Sequence, residues 1–450
     1  MESDEFHMLR SERRVVITGL GIICPLGDGP ESYWSALSEK RGAVRKLAAF
    51  PVGGLPNDVG AEVPDFIPKT WPKKYSLPDT EHRKALNKSM KYMARDIQLA
   101  VAAADLAMAN AGLVDAQIDP TRIGVDLGAG LISTELDELA PAINHSSQNG
   151  GVFDYGVWGR EGIGQIPPYW LLKYLPNMLA CHISILHDCQ GPSNTITEAE
   201  AASNLAIGEA SRIIARGRAD MMITGGADSK IHPLSLVRMS LLDQMSRWKG
   251  EPSGACRPFD VQRDGWVPGE GAGILVLEER DHALKRGATI LGEILGFGSG
   301  CDAQPEGGLD PEGIGTEIAL NAALRDAGLK PSDIGHVNAH GAGSQVSDLA
   351  EARAFQRVFG GSKVPVTALK GYFGNLVSGC GVVELIASLL GSNRGLIPPT
   401  LNCDELDPSC DLDLVRGEAR PTQNPIFVNT NLTRHGQAAA LVVSGGSNVS

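Results

Sequence analysis

Short apolar runs rich in β-branched residues alternate with small-residue helical segments along most of this chain. Such alternation favours an α/β sheet architecture, because a strand buried on both faces needs helices to cover it. Positions 15–18, within RRVVITGLGIICPL, meet Gly19 and Gly21 and read as a buried strand followed by a turn. Positions 90–111 carry apolar and small residues at helical spacing, with Gly112 as the stop. Strands are predicted at 123–127, 220–225 and 273–278, and a small-residue helix at 199–215 ends at Gly217. The second half continues in the same way. Helices are expected at 316–327, 347–358 and 379–390, and strands at 336–339 and 439–444. No short-period repeat and no Pro/Gly/Ser linker divides the chain, so two α/β halves fused around one core are expected. Their join falls near residues 285–300.

Charge and cysteine usage narrow the function. The formal net charge of -13 argues against a general nucleic-acid binder, which needs a basic face. The 8 cysteines form no CxxC pair, so reduced, mostly buried thiols are expected and no metal site. Charged residues interrupt the first 14 positions, leaving no signal-peptide core. No apolar run approaches the ~18 residues that span a bilayer. A cytoplasmic protein without a membrane span is expected. Gly19-x-Gly21 lacks the third glycine of a dinucleotide fingerprint, which excludes a nucleotide site there.

Three segments carry more than pattern. RRVVITGLGIICPLG at 13–27 is the first. GPSNTITEAEAASNLAIGEASRIIARGRADMMITGGAD at 191–228, continuing to CRPFDVQRDGWVPGEGAGILVLEE at 256–279, is the second. VNAHGAGSQVSDLAEA at 337–352, followed by ALKGYFGN at 368–375, is the third. In these the chain resembles the β-ketoacyl-acyl-carrier-protein synthases over nearly its whole length. The resemblance implies the layered αβαβα thiolase fold, made of two similar halves at residues 13–290 and 291–450. A cap insertion is expected at about 115–190 of the first half.

The family's chemistry uses a cysteine at a helix start, two histidines and a lysine. A helix start suits a thiolate because its free N–H groups and dipole favour negative charge. Read across, Glu200 stands where the cysteine belongs. His340 matches the first histidine, Lys370 the lysine, and Asn375 stands at the second histidine. Asp348 and Glu351 match an acidic pair with a structural role, and Glu384 matches the glutamate of the following helix. Ala342 and Ser344 replace the threonines that hold the carrier's phosphopantetheine arm. The gating loop reads NTNLTRHGQ from Asn429 to Gln437, with Leu432 at the gating Phe and Arg434 and His435 as new titratable groups.

These departures set the expected function. A glutamate attacking a thioester would give a labile mixed anhydride, so Cys-dependent elongation is not expected. The leading expectation is a chain-length-factor-like partner in fatty-acid or polyketide-type biosynthesis. The alternative is an enzyme that condenses or decarboxylates acyl or malonyl thioesters without an acyl-enzyme, using Glu200 and His340. No cofactor is expected beyond a phosphopantetheine thioester on a carrier protein or coenzyme A as substrate or ligand. The implied partners are an acyl carrier protein and a second subunit, either an identical chain or a Cys-containing ketosynthase.

Other residues admit plainer readings. Lys370 is expected to pair with Glu351. Cys380 opens a helix, which leaves a functional role conceivable. Arg257, Asp260, Arg263 and Asp264 read as an ion-paired scaffold, and Arg83, Lys84, Lys88, Lys91 and Arg95 as a solvated or carrier-facing helix face. Tunnel-lining residues are placed at 150–176.

Overall fold

A computed structural model describes residues 13–446, apart from 54, 56–57, 65, 67–79, 114–117, 148–150, 243–244, 305–306 and 361–362. Its main sheet repeats one plan twice. In the first half the strands lie in the order Ser193–Ile196, Ile123–Ala129, Met221–Ser229, Glu270–Glu279, Val15–Cys24. In the second the order is Val366–Ala368, His336–Ala339, Ile426–Leu432, Gln437–Gly445, Gly292–Cys301. Numbered along the chain within each half, both read 3-2-4-5-1. The pairings match too, parallel between strands 2 and 3 and between 2 and 4, antiparallel from 4 to 5 and from 5 to 1. The two units join where Val15–Ile17 pairs antiparallel with Gly292–Ile294, so the expected join is itself a strand.

Helices complete five layers. Arg95–Asn110 covers the outer face of the first unit and Ile314–Ala327 that of the second. Ala202–Ala215 and Cys380–Ser392 each touch strands of both units and form the central layer. Every residue of Cys380–Ser392 is buried, as an all-round apolar helix requires. The paired glycines near the start of the chain serve this packing. A Cβ at Gly21 would lie 1.9 Å from the Ala103 carbonyl oxygen, and one at Gly298 would lie 2.1 Å from that of Ala319. Each unit thus seats its outer helix directly on its first strand.

Two expected elements differ. The helix expected at 90–111 breaks, because Met93 and Ala94 are extended before Arg95–Asn110 begins. The break turns Arg95 inward onto the buried carboxylate of Glu270 (2.7 Å) and the Val63 carbonyl (2.9 Å). Arg95 therefore does not belong to the exposed basic face formed by Lys84, Lys88 and Lys91, and the Arg83 side chain lies outside the described residues. Likewise Asn429–Asn431 is not loop but strand, running to Leu432 before a turn at Thr433–Gly436. Its polar side chains find buried partners, which offsets their poor strand propensity.

Candidate functional site

Glu200 lies in the short turn Ala199–Ala201 that opens the central helix Ala202–Ala215. The chain enters through Ala199 at φ 40°, a left-handed conformation costing on the order of 1–3 kcal/mol for a residue with a Cβ. That turn puts the half-buried Glu200 carboxylate at the positive end of the helix, where negative charge is favoured.

Asn375 meets it from the second unit. Its Nδ2 donates to Glu200 Oε1 at 3.0 Å. The amide's orientation follows from its other end, because Oδ1 accepts from the Val377 N–H (2.9 Å) and the Cys380 thiol (3.1 Å). Cys380 is fully buried, and burial pushes its thiol well above the ordinary range. It holds its proton and acts as a donor to Asn375, not as a nucleophile.

Behind this pair lies a buried polar cluster. Lys370, with no solvent exposure, directs its ammonium at Glu384 Oε1 (2.6 Å), the His340 carbonyl (2.6 Å) and His340 Nδ1 (3.1 Å), three acceptors for three protons. Burial opposes that charge, and the Glu384 carboxylate bonded to it overrides the cost, holding Lys370 above its ordinary range. The expected pairing of Lys370 with Glu351 is thus corrected to Glu384. Glu351 instead accepts the backbone N–H groups of His340 (2.7 Å) and Gly341 (2.9 Å) and the Thr430 hydroxyl (2.9 Å). Burial pushes Glu351 up to about 7 despite these donors. Asp348 accepts from the Phe259 and Gly343 N–H groups beside Arg263, and burial lifts it to about 6.

His340 is buried and pulled well below the usual imidazole range, first by burial and then by Lys370. Its Nδ1 receives donors from Lys370 and from Asn431 Nδ2 (3.3 Å). That fixes the neutral tautomer with the proton on Nε2. Asn431 also donates to Glu384 Oε2 (2.8 Å) and accepts from Asn204 on the Glu200 helix (2.8 Å). Sequence reasoning missed this asparagine link between the two units. Its signal was three asparagines at positions expected to be apolar or loop.

Two cavities meet at Glu200. One of about 370 Å³ includes His340, Ala342, Ser344, Asn375 and Leu432 in its walls. The other, of about 460 Å³, runs past Gly130, Pro176, Arg238 and Met239. Of the stretch 150–176 expected to line the tunnel, Pro176 reaches this wall. Arg434 and His435 border both cavities. Arg434 donates to the Leu242 carbonyl (2.7 Å) and to His435 Nε2 (3.0 Å), while His435 Nδ1 donates to the Gly307 carbonyl (2.7 Å). These bonds make the 433–436 turn a bridge across the pocket mouth. Outside the site, Arg257 pairs with Asp260 (3.0 Å) and Arg263 with Asp407 (2.7 Å), an ion-paired scaffold. Asp264 accepts the Arg247 N–H at 2.9 Å. Among the described residues no helix is long and apolar enough to cross a membrane.

Known proteins share this arrangement of chain. Residues 12–283 match the model of the beta-ketoacyl synthase N-terminal domain, and 291–404 that of its C-terminal domain. The 3-oxoacyl-[acyl-carrier-protein] synthase 2 of Coxiella burnetii is 33% identical over 96% of this chain and 99% of its own. A beta-ketoacyl synthase from Burkholderia phymatum superposes with a TM-score of 0.83 at 32% identity, covering 96% of this chain and 99% of its own. The ishigamide ketosynthase/chain length factor superposes at 0.81 with 30% identity over the same shares. With both domain models matched in order and the thiolase-like layering in place, this chain belongs to the beta-ketoacyl synthase family.

Proposed function

We propose that this ketosynthase-like protein of fatty-acid or polyketide biosynthesis does not perform Cys-dependent elongation, and that it works as a chain-length-factor-like partner of a Cys-containing ketosynthase. The observation that carries this reading is the Glu200–Asn375 hydrogen bond at the junction of two cavities with no cysteine among the described residues of their walls. A carboxylate held there cannot carry an acyl chain stably between steps. An exposed sheet edge supports a partner. Ser193–Ile196 ends the sheet with its outer side unpaired among the described residues. The adjoining helices Trp170–Tyr174 and Met178–Leu186 leave Leu171 and Ile185 exposed, as an association surface would.

One observation favours a second reading. His340 keeps a fixed Nε2–H in the cavity that Glu200 and Asn375 also line, next to a charged lysine. Such a set can polarise a thioester carbonyl and move a proton, so non-covalent decarboxylation or condensation is chemically available. An acyl carrier protein would present the thioester in either case.

The test is co-expression with a Cys-containing ketosynthase, then mass spectrometry of malonyl- and acyl-carrier proteins incubated with the full chain alone and with the complex. A stable complex whose activity is absent from this chain alone supports the partner role. Turnover by this chain alone, abolished in Glu200→Gln, establishes the second reading. An acyl adduct on this chain would sink both.

A further inference from the structure

We infer that the 460 Å³ cavity beside Glu200 receives an acyl group ending in a carboxylate, recognised by Arg238. The inference rests on the ketosynthase-like reading in one respect, that an acyl thioester occupies this site. Its substance comes from the cavity wall itself.

Arg238 lies in the helix Pro233–Leu242 between the apolar residues Val237 and Met239. It forms no hydrogen bond or ion pair with any described residue, although its side chain borders the cavity. The other two cations of that wall are engaged. Lys230 is held by Asp228 at 2.5 Å and by the Leu131 carbonyl at 3.1 Å, and Arg434 by the Leu242 carbonyl at 2.7 Å. Among the described residues of the same wall Glu200 is the one carboxylate, and it accepts from Asn375. Arg238 is thus the cation of that wall without a hydrogen-bond or ion-pair partner among the described residues. A cation without a partner in a concave site attracts a counter-ion.

The rest of the wall defines the ligand's body. Leu131, Pro176, Met239, Leu242, Trp266 and Val377 offer apolar surface for a hydrocarbon stem. A neutral fatty chain would bury Arg238 without a partner, at a cost that a terminal carboxylate removes through a planar, two-pronged contact. The reacting end would then lie at Glu200 and Asn375, and the arm would pass through the cavity walled by Ala342 and Ser344. A free phosphate has the charge but not the stem.

Calorimetric titration of the full chain with two non-hydrolysable pantetheine amides, hexanoyl and adipyl, tests this. The two differ at the chain end, methyl against carboxylate. The adipyl compound should bind about tenfold more tightly, and raising the salt should narrow the gap. Arg238→Leu should erase the preference while hexanoyl binding stays within about threefold of the unmodified chain, and Arg238→Lys should restore part of it. Glu200→Gln should widen the preference by removing the like charge. Equal or tighter binding of the hexanoyl compound, or a preference that survives Arg238→Leu, overturns the inference and leaves the ketosynthase-like reading intact. Equal competition by inorganic phosphate against the adipyl compound also overturns it. Failure of both compounds to bind overturns the acyl-site reading and the inference together.

Discussion

The helices Ala202–Ala215 and Cys380–Ser392 face each other in the central layer, one from each unit, yet they bring opposite environments to the site. On the second unit's side, Lys370, Glu384 and Asn431 are sealed from solvent and bonded to one another. On the first unit's side, Glu200 is half-buried, Ala199 is strained, and Arg238 faces a cavity without a partner among the described residues. The sealed side holds geometry and the open side sets what can bind. Substitutions should therefore separate cleanly into those that cost stability and those that change ligands.

The largest effect is expected at Glu384. Replacing it with leucine leaves the Lys370 ammonium buried and unpaired, and should cost about 3–5 kcal/mol in denaturant unfolding. Adding Lys370→Met should recover most of that loss, because the uncompensated charge goes with it. A double variant as unstable as the single would break the account of the sealed side.

Next comes the helix crossing. A Cβ at Gly381 would stand 2.4 Å from Asn431 Oδ1 and 2.7 Å from Asn204 Oδ1, so Gly381→Ala should cost about 1–3 kcal/mol. Unchanged unfolding would mean that the asparagine link between the units is slack.

A surface ion pair sharpens the contrast. Asp220 is held well below the carboxylate range, chiefly by its hydrogen bond to Arg122, with burial opposing and Arg13 assisting. Its folded pKa is depressed, so its contribution is present above the unfolded value of about 3.9 and fades as the pH falls below it. Asp220→Asn should cost about 0.5–1 kcal/mol near neutrality, a value discounted for partial solvent screening, and the difference should shrink under acid. A loss as large as that at Glu384 would erase the distinction between buried and surface charge.

The smallest stability effect belongs to Glu200. Glu200→Gln should shift unfolding by no more than about 0.5 kcal/mol while altering ligand binding. A loss comparable to that at Gly381 would show that Glu200 is structural after all.

Much of this was legible in the chain. Alternating strands and helices, and the glycine stops at Gly112 and Gly217, correspond to real elements, both glycines adopting positive φ. What hid was set by partners distant in sequence. Asn429–Asn431 looked like loop because asparagine is a poor strand former, and only the buried groups of the other unit make it stable there. Lys370 was assigned to the wrong carboxylate, since nothing local distinguishes Glu351 from Glu384. Arg95 sat on a plausible exposed helix face until the break at Met93 and Ala94 turned it inward. Arg238, one basic residue in LSLVRMSLL, gave a visible signal that was passed over.

The strand order also sets a timetable. In the register of the first unit Val16 faces Glu278. Ribosomes deliver roughly 5–20 residues each second, so about 260 residues take on the order of 13–50 seconds to follow the first strand out. During that interval an apolar edge waits without its neighbour, while the helix Pro30–Ser38 and then the outer helix Arg95–Asn110 become available to pack against the strand. The close seat that Gly19 and Gly21 provide is thus also a holding place, protecting the first strand of the unit until its last strand arrives.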